Sequence, residues 1–249
     1  MNLFAALQHI LIVASVVPFA VSQECETVES MDQIDLGMFR SKAWFSHQQR
    51  PEPFNPVETF YCVKAEYSLL DASNSPSEAV SIENNFTVKV FNSAEDADGN
   101  VITSDDPFLF TGQPSPGPLC AATGFGNKDS QLKVGFCTLP ASIMGVGTNY
   151  WVLAYDEDEG MALIAAGQTD LPTGNDGLCS YNSPFFSLWI LSRSPVRNEA
   201  LIEKYRGIAI DNGIDPSIMS DVSHVNCDHT TKSSKKSKKS KKTKAPKSP

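Results

Sequence analysis

The chain has 249 residues, 41% of them hydrophobic, with 20 basic and 29 acidic side chains for a formal net charge of −9. That charge is split: Lys232 to Pro249 hold nine of the basic residues and no acid, which leaves 11 basic against 29 acidic side chains, or −18, before them. The acidic body excludes a nucleic-acid-binding domain, which needs a basic face, and the hydrophobic content excludes a wholly disordered chain; the length allows one domain with appendages or two small ones.

The first 22 residues carry no charged side chain. Leu3 to Val21 is largely apolar and closes on Ala20-Val21-Ser22, small residues of the kind a signal peptidase reads. Residues 1–22 are therefore expected to be a secretory signal peptide, cut near Ser22–Gln23, and the run is short for a membrane anchor. Glu24, Glu26, Glu29 and Asp32 follow at once and argue against an organelle transit peptide. A secreted, extracellular chain sits in an oxidising compartment. The mature part has six cysteines, Cys25, Cys62, Cys120, Cys137, Cys179 and Cys227, enough for three disulfides in any of fifteen pairings. No C-x-x-C occurs, and neither a metal site nor a cofactor is expected. Asn85-Phe86-Thr87 is a glycosylation sequon.

From Phe60 to Arg193 come short runs rich in β-branched and aromatic residues, broken by Gly, Pro, Asn and Asp, the pattern of an all-β domain. In Tyr61 to Leu69, Val63, Ala65 and Tyr67 share one face and Cys62 takes the other. Phe86, Val88 and Val90 share a face, which turns Asn85 outward. In Leu119 to Phe125, Cys120 opposes Leu119 and Ala121; in Leu132 to Cys137, Leu132, Val134 and Phe136 oppose Lys133 and Cys137. Two outward cysteines on consecutive strands predict a Cys120–Cys137 bridge across the hairpin, provided that the Cα atoms are within about 7 Å.

After Pro195 the period changes. Leu201, Ile202, Tyr205 and Ile208 form a helical stripe that stops near Gly213 and Pro216. The reading is about eight antiparallel strands followed by one amphipathic helix on their outside, and eight strands close into a barrel that holds one small ligand. Residues 23–231 form this domain. The tail 232–249, of Lys, Ser and Pro, cannot bury a core and is expected to be disordered, with docking to an anionic surface or polysaccharide as its possible role.

The body resembles the lipocalins, and within them the apolipoprotein D and bacterial lipocalin branch. Ile34 to Pro51 is similar to the first lipocalin motif, with its tryptophan at Trp44. Asn149 to Ile164 is similar to the second, a strand, an acidic hairpin turn and the returning strand. Phe185 to Pro195 is similar to the third, with its arginine at Arg193. Tyr61 to Asp71 and the stretches NGIDPSIM and HVNCD are similar to parts of apolipoprotein D, so that the resemblance spans about residues 34 to 228. It implies an eight-stranded up-and-down barrel with one C-terminal α-helix packed outside, Arg193 lying across Trp44 at the closed end, and disulfides Cys25–Cys179 and Cys62–Cys227. Lys42 stands at the family's usual glycine, Glu159-Gly160 replaces the usual turn tyrosine, and residues 92 to 118 are longer than the barrel needs.

Val63, Ala65, Tyr67, Phe86, Val88, Val90, Leu132, Val134, Phe136 and Trp189 are expected to line an apolar cup, with Tyr67 and Trp189 in direct contact with the ligand. The function implied is binding and transport of a small hydrophobic molecule: a fatty acid, sterol, isoprenoid or pigment. The alternatives are a lipocalin-fold enzyme acting on a lipid or carotenoid, and an extracellular matrix or wall protein anchored by its basic tail. The enzyme reading lacks support. All six cysteines are accounted for, His47, His224 and His229 sit in no catalytic motif, and Asp156 and Asp158 belong to a solvated turn. Asp96-Ala97-Asp98-Gly99 resembles part of a calcium loop, but Ala94 occupies the first ligand position.

Overall fold

The computed structural model describes residues 24–53, 55–96, 98–106, 117–123, 128–140 and 148–229. The expected signal peptide and the Lys/Ser-rich tail lie outside these residues. Twelve strands are described: β1 (Trp44–Gln49), β2 (Tyr61–Leu69), β3 (Val88–Glu95), β4 (Val101–Thr103), β5 (Leu119–Ala122), β6 (Gln131–Phe136), β7 (Thr148–Asp156), β8 (Met161–Ala165), β9 (Leu171–Pro172), β10 (Cys179–Ser180), β11 (Leu188–Ser192) and β12 (Ser220–Asp221). Three α-helices accompany them: α1 (Leu36–Phe39), α2 (Pro76–Glu83) and α3 (Glu199–Asp211).

Eight strands, in the order β1, β2, β3, β5, β6, β7, β8, β11, pair antiparallel with their neighbours, and β11 pairs back with β1. The sheet is a closed barrel with α3 outside it. Closure leaves no unpaired edge in the eight-strand ring. β4 pairs with the far half of β3 and extends that wall, which uses part of the long segment noted at residues 92 to 118.

Strict alternation is broken at three register shifts, between Ser46 and Gln48, between Tyr61 and Lys64, and between Val152 and Ala154. Each extra residue exchanges the two faces of its strand. Trp44, Ser46 and Gln49 therefore all line the interior, while His47 points out. On β7, Tyr150, Val152 and Tyr155 pack inside, and Trp151 and Leu153 pack outside. β8 shows no alternation in burial, because its second face is covered by α3: Met161, Leu163 and Ala165 meet Ile202, Tyr205 and Ala209.

The helix begins later than Pro195. Asn198 is its N-cap, its side chain accepting from the Leu201 N–H at 3.3 Å, which satisfies one of the free donors of the first turn. It ends at Asp211. Gly213 then takes φ +69°, a conformation that costs other residues, and a Cβ there would come within 3.0 Å of the Glu26 side chain. α2, between β2 and β3, was not expected from the sequence; Ser75 caps it by accepting from the Glu78 N–H, and Pro76 occupies its first turn. Its apolar residues Val80 and Ile82 stay exposed, so it has no amphipathic stripe to read.

Three disulfides fasten the segments that are not part of the ring. Cys25–Cys179 ties the N-terminal strap to β10, and Cys62–Cys227 ties the C-terminal strap to β2; Cα separations are 5.7 and 5.6 Å. Cys120–Cys137 joins β5 to the end of β6 at 5.0 Å. All three pairings are those expected, and among the described residues no cysteine is free.

Ile202 is 1% exposed between α3 and the barrel wall. Ile202→Ala is expected to cost about 2–5 kcal/mol, read from urea unfolding with the disulfides intact. A loss under about 1 kcal/mol would show that α3 adds little to the stability of the barrel.

Candidate functional site

The closed end is built on one arginine. The Arg193 guanidinium lies 3.6 Å from the centroid of the Trp44 ring, a cation–π contact worth roughly 0.5–2 kcal/mol. Its N–H groups donate to the carbonyls of Met38, Phe39, Lys42 and Ala43, and to Glu157 Oε2 at 3.0–3.1 Å. Trp44 is fully buried and donates its indole N–H to the Phe39 carbonyl at 2.8 Å. These are the tryptophan and the arginine of the first and third sequence motifs.

Two departures from the family pattern join this plug. Lys42 contributes its carbonyl to Arg193 and its Nζ to Glu157 at 3.1 Å. Gly160, at φ +65°, lets the turn pass against Arg193, where a Cβ would meet the arginine Cβ at 3.1 Å. Burial raises the Glu157 carboxyl, but hydrogen bonds from Tyr155, Arg193 and Lys42 outweigh it, and the group lies below the usual range. Asp156 accepts from the Asp158 and Glu159 N–H groups, which is turn geometry. Glu157, not singled out from the sequence, is the acidic member that matters.

Above the plug is a cavity of about 690 Å³. Val63, Ala65, Tyr67, Val88, Val90, Leu132, Val134, Phe136 and Trp189 all line it. Phe86 does not. It precedes β3 on a chain reversal in which Asn85 has φ +67°, so the strand parity does not extend back to it; it packs instead with Cys120, Ala122 and Cys137. Asn85 itself is exposed in that reversal.

Further lining residues were missed. Tyr150 reaches Tyr67, the two hydroxyls lying 3.0 Å apart, and burial pushes the Tyr67 phenol up to about 12, against the hydrogen bond from Tyr150. The alternation of β7 carried that signal before its bulge. Leu119, Ala121 and Leu191 had the right parity as well. At the mouth stand Gln49, Glu52, Asn55 and Asn92, a polar rim over an apolar cup. Nothing local in the sequence marks Glu52 or Asn55, which a loop between β1 and β2 folds over the opening with a pair of backbone hydrogen bonds.

The eight-strand closed topology, the plugged end and the outer helix decide the architecture. This is the lipocalin fold. Insecticyanin from the tobacco hornworm Manduca sexta aligns over 81% of this chain and 87% of its own, at 16% identity and TM-score 0.50. The cockroach allergen Per a 4 aligns over 81% and 96%, at 15% identity and TM-score 0.47. Lobster apocrustacyanin A1 aligns over 83% and 93%, at 11% identity and TM-score 0.48. No protein-family profile matches the sequence, and no curated protein does. Among the described residues, no helix is long and apolar enough to cross a membrane.

Glu52 gives this lipocalin barrel a titrating group at its mouth. Burial pushes the carboxyl up to about 8, against the pull of Arg50. Burial thus favours the protonated form of a carboxyl that lines the cup. Between 4.5 and about 8 the folded chain holds a proton that the unfolded chain has released, so this group makes stability fall as pH rises through that window. Glu52→Gln is expected to remove the fall, measured as urea midpoints at about pH 5 and about pH 9. Equal pH dependence in the two proteins would exclude Glu52 as its source.

Proposed function

We propose that the chain is a secreted carrier that binds and transports a small hydrophobic molecule in the barrel. The observation behind this reading is the 690 Å³ cavity, walled by aliphatic and aromatic side chains and reached past a polar rim. Burial of apolar surface at about 25 cal/mol per Å² supplies the affinity, and a few polar groups orient the guest. A molecule with an apolar body and a hydrogen-bonding end fits: the body contacts Tyr67 and Trp189, and the end meets Glu52 or Asn55. Fatty acids, sterols, isoprenoids and pigments share that form, and apolar walls select among them by size and shape. Secretion is supported by the three disulfides, which suit an oxidising compartment, and by the apolar leader in the sequence. We place the chain near the apolipoprotein D branch, on the Cys25–Cys179 and Cys62–Cys227 pattern that this resemblance implies. Glycosylation at Asn85 is proposed on its sequon and its exposure.

The test combines a blocked cup with the native guest. Ala121 is 3% exposed and lines the cavity. Ala121→Phe is expected to weaken binding of a fluorescent fatty acid at least tenfold with an unchanged far-ultraviolet spectrum, and mass spectrometry of an extract of the natively purified protein to reveal a co-purifying lipophile. Absence of any lipophile, together with no probe binding at micromolar concentration, would end the carrier reading.

We also propose a tether at Lys232 to Pro249, on its nine basic side chains without one acid. The full chain is expected to stay on a heparin column at salt that releases a chain ending at residue 231. Co-elution of the two would dismiss the tether.

A further inference from the structure

All the histidines that follow the leader come together on the outside of the barrel. His47 lies on β1, and His224 and His229 lie on the C-terminal strap that β12 and the Cys62–Cys227 bridge hold against that wall. The His47 and His224 rings have centroids 5.1 Å apart, and His224 and His229 are 5.2 Å apart. A ring nitrogen of His224, one of His229 and Cys227 Sγ lie within 4.8 Å of one another.

The hydrogen bonds fix which nitrogens are available. His47 Nε2 is 2.8 Å from the Ser194 carbonyl, and His224 Nε2 is 2.8 Å from the Ser46 carbonyl. A carbonyl only accepts, so each Nε2 carries the proton, and in the neutral ring Nδ1 keeps its lone pair. Both Nδ1 atoms are buried and have no hydrogen-bond partner; His229 Nε2 is in the same condition. Buried polar atoms are ordinarily satisfied, and three orphaned imidazole nitrogens in adjacent rings call for an explanation. An imidazole that donates one N–H to a backbone carbonyl and presents the other nitrogen bare has the arrangement of a metal ligand with its supporting shell. Burial keeps the three rings toward the neutral form that ligates.

We infer that His224 and His229, with His47 beside them, form a site for a borderline divalent transition-metal ion such as Zn²⁺. Imidazole donors suit this class, and no carboxylate belongs to the group whose donor atoms converge. Cys227 Sγ is bonded to Cys62, so it is a neutral sulfur and not a thiolate; water fills the remaining positions. Bound there, the ion would clamp the C-terminal strap to β1. The inference is independent of the carrier reading, since the rings face away from the cup.

The experiment is a calorimetric titration of the full, oxidised chain with ZnCl₂. One equivalent is expected to bind with micromolar affinity and to raise the thermal midpoint. His224→Phe and His229→Phe keep an aromatic ring in place and remove a donor nitrogen. Each is expected to weaken Zn²⁺ at least tenfold while fluorescent fatty-acid binding, which reports a folded cup, stays at the wild-type level. Should His224→Phe not fold, His229→Phe carries the test alone, because its orphaned Nε2 has no hydrogen bond to lose. No saturable heat with the wild-type chain, or wild-type Zn²⁺ affinity in the folded variants, would overturn the site and leave the rings as packing only.

Discussion

The barrel depends on the placement of the Arg193 guanidinium. A cation is costly to bury, and this one is accepted because every direction around it is answered. The Trp44 face lies beneath it, four backbone carbonyls and the Glu157 carboxylate surround it, and Gly160 leaves room for the chain to pass. The same contacts gather the segment carrying α1, the start of β1, the β7–β8 turn and the end of β11. One side chain thus closes one end of an eight-strand ring, and it leaves the other end to the loops.

The second constraint is the double use of β8 and β11. Leu163, Leu188 and Ile190 face α3, while Ile164, Trp189 and Leu191 face the interior. The helix therefore anchors the wall that carries Trp189. The disulfides extend the principle to the straps: Cys25–Cys179 and Cys62–Cys227 connect residues more than 150 apart in sequence, which restricts the unfolded chain and fixes peripheral segments with little core of their own. The C-terminal strap held in this way brings His224 and His229 to His47.

Much of the cup was legible because strand parity is a local property. Val88, Val90, Leu132, Val134 and Phe136 alternate with residues that point outward, and no distant information is needed to place them. Parity failed where the strand did. Phe86 lies before a left-handed Asn85 and turns to the Cys120–Cys137 bridge, and Tyr150 was overlooked on a strand whose bulge scrambles the pattern a few residues later. α2 was illegible for the opposite reason: it is capped but covers no core, so its sequence carries no periodic signal. Glu52 had none either, because a carboxyl in a polar loop acquires its burial from the chain that folds across it.

The sequence by itself determined the strands, the outer helix, the six-cysteine framework and the split between an acidic body and a basic tail. Each of these follows from composition or short-range period. Motifs at Trp44 and Arg193 supplied the closed end through family resemblance. Tertiary structure alone decided the shape of the cup, the register shifts that set its faces, the burial of the Glu52 carboxyl and the approach of His47 to the histidines of the strap. His224 and His229 are neighbours in sequence on either side of Cys227, but His47 is separated from them by most of the chain. His47 meets them because β1 pairs with a strap that a disulfide holds in place, and that long-range approach leaves no trace in local sequence.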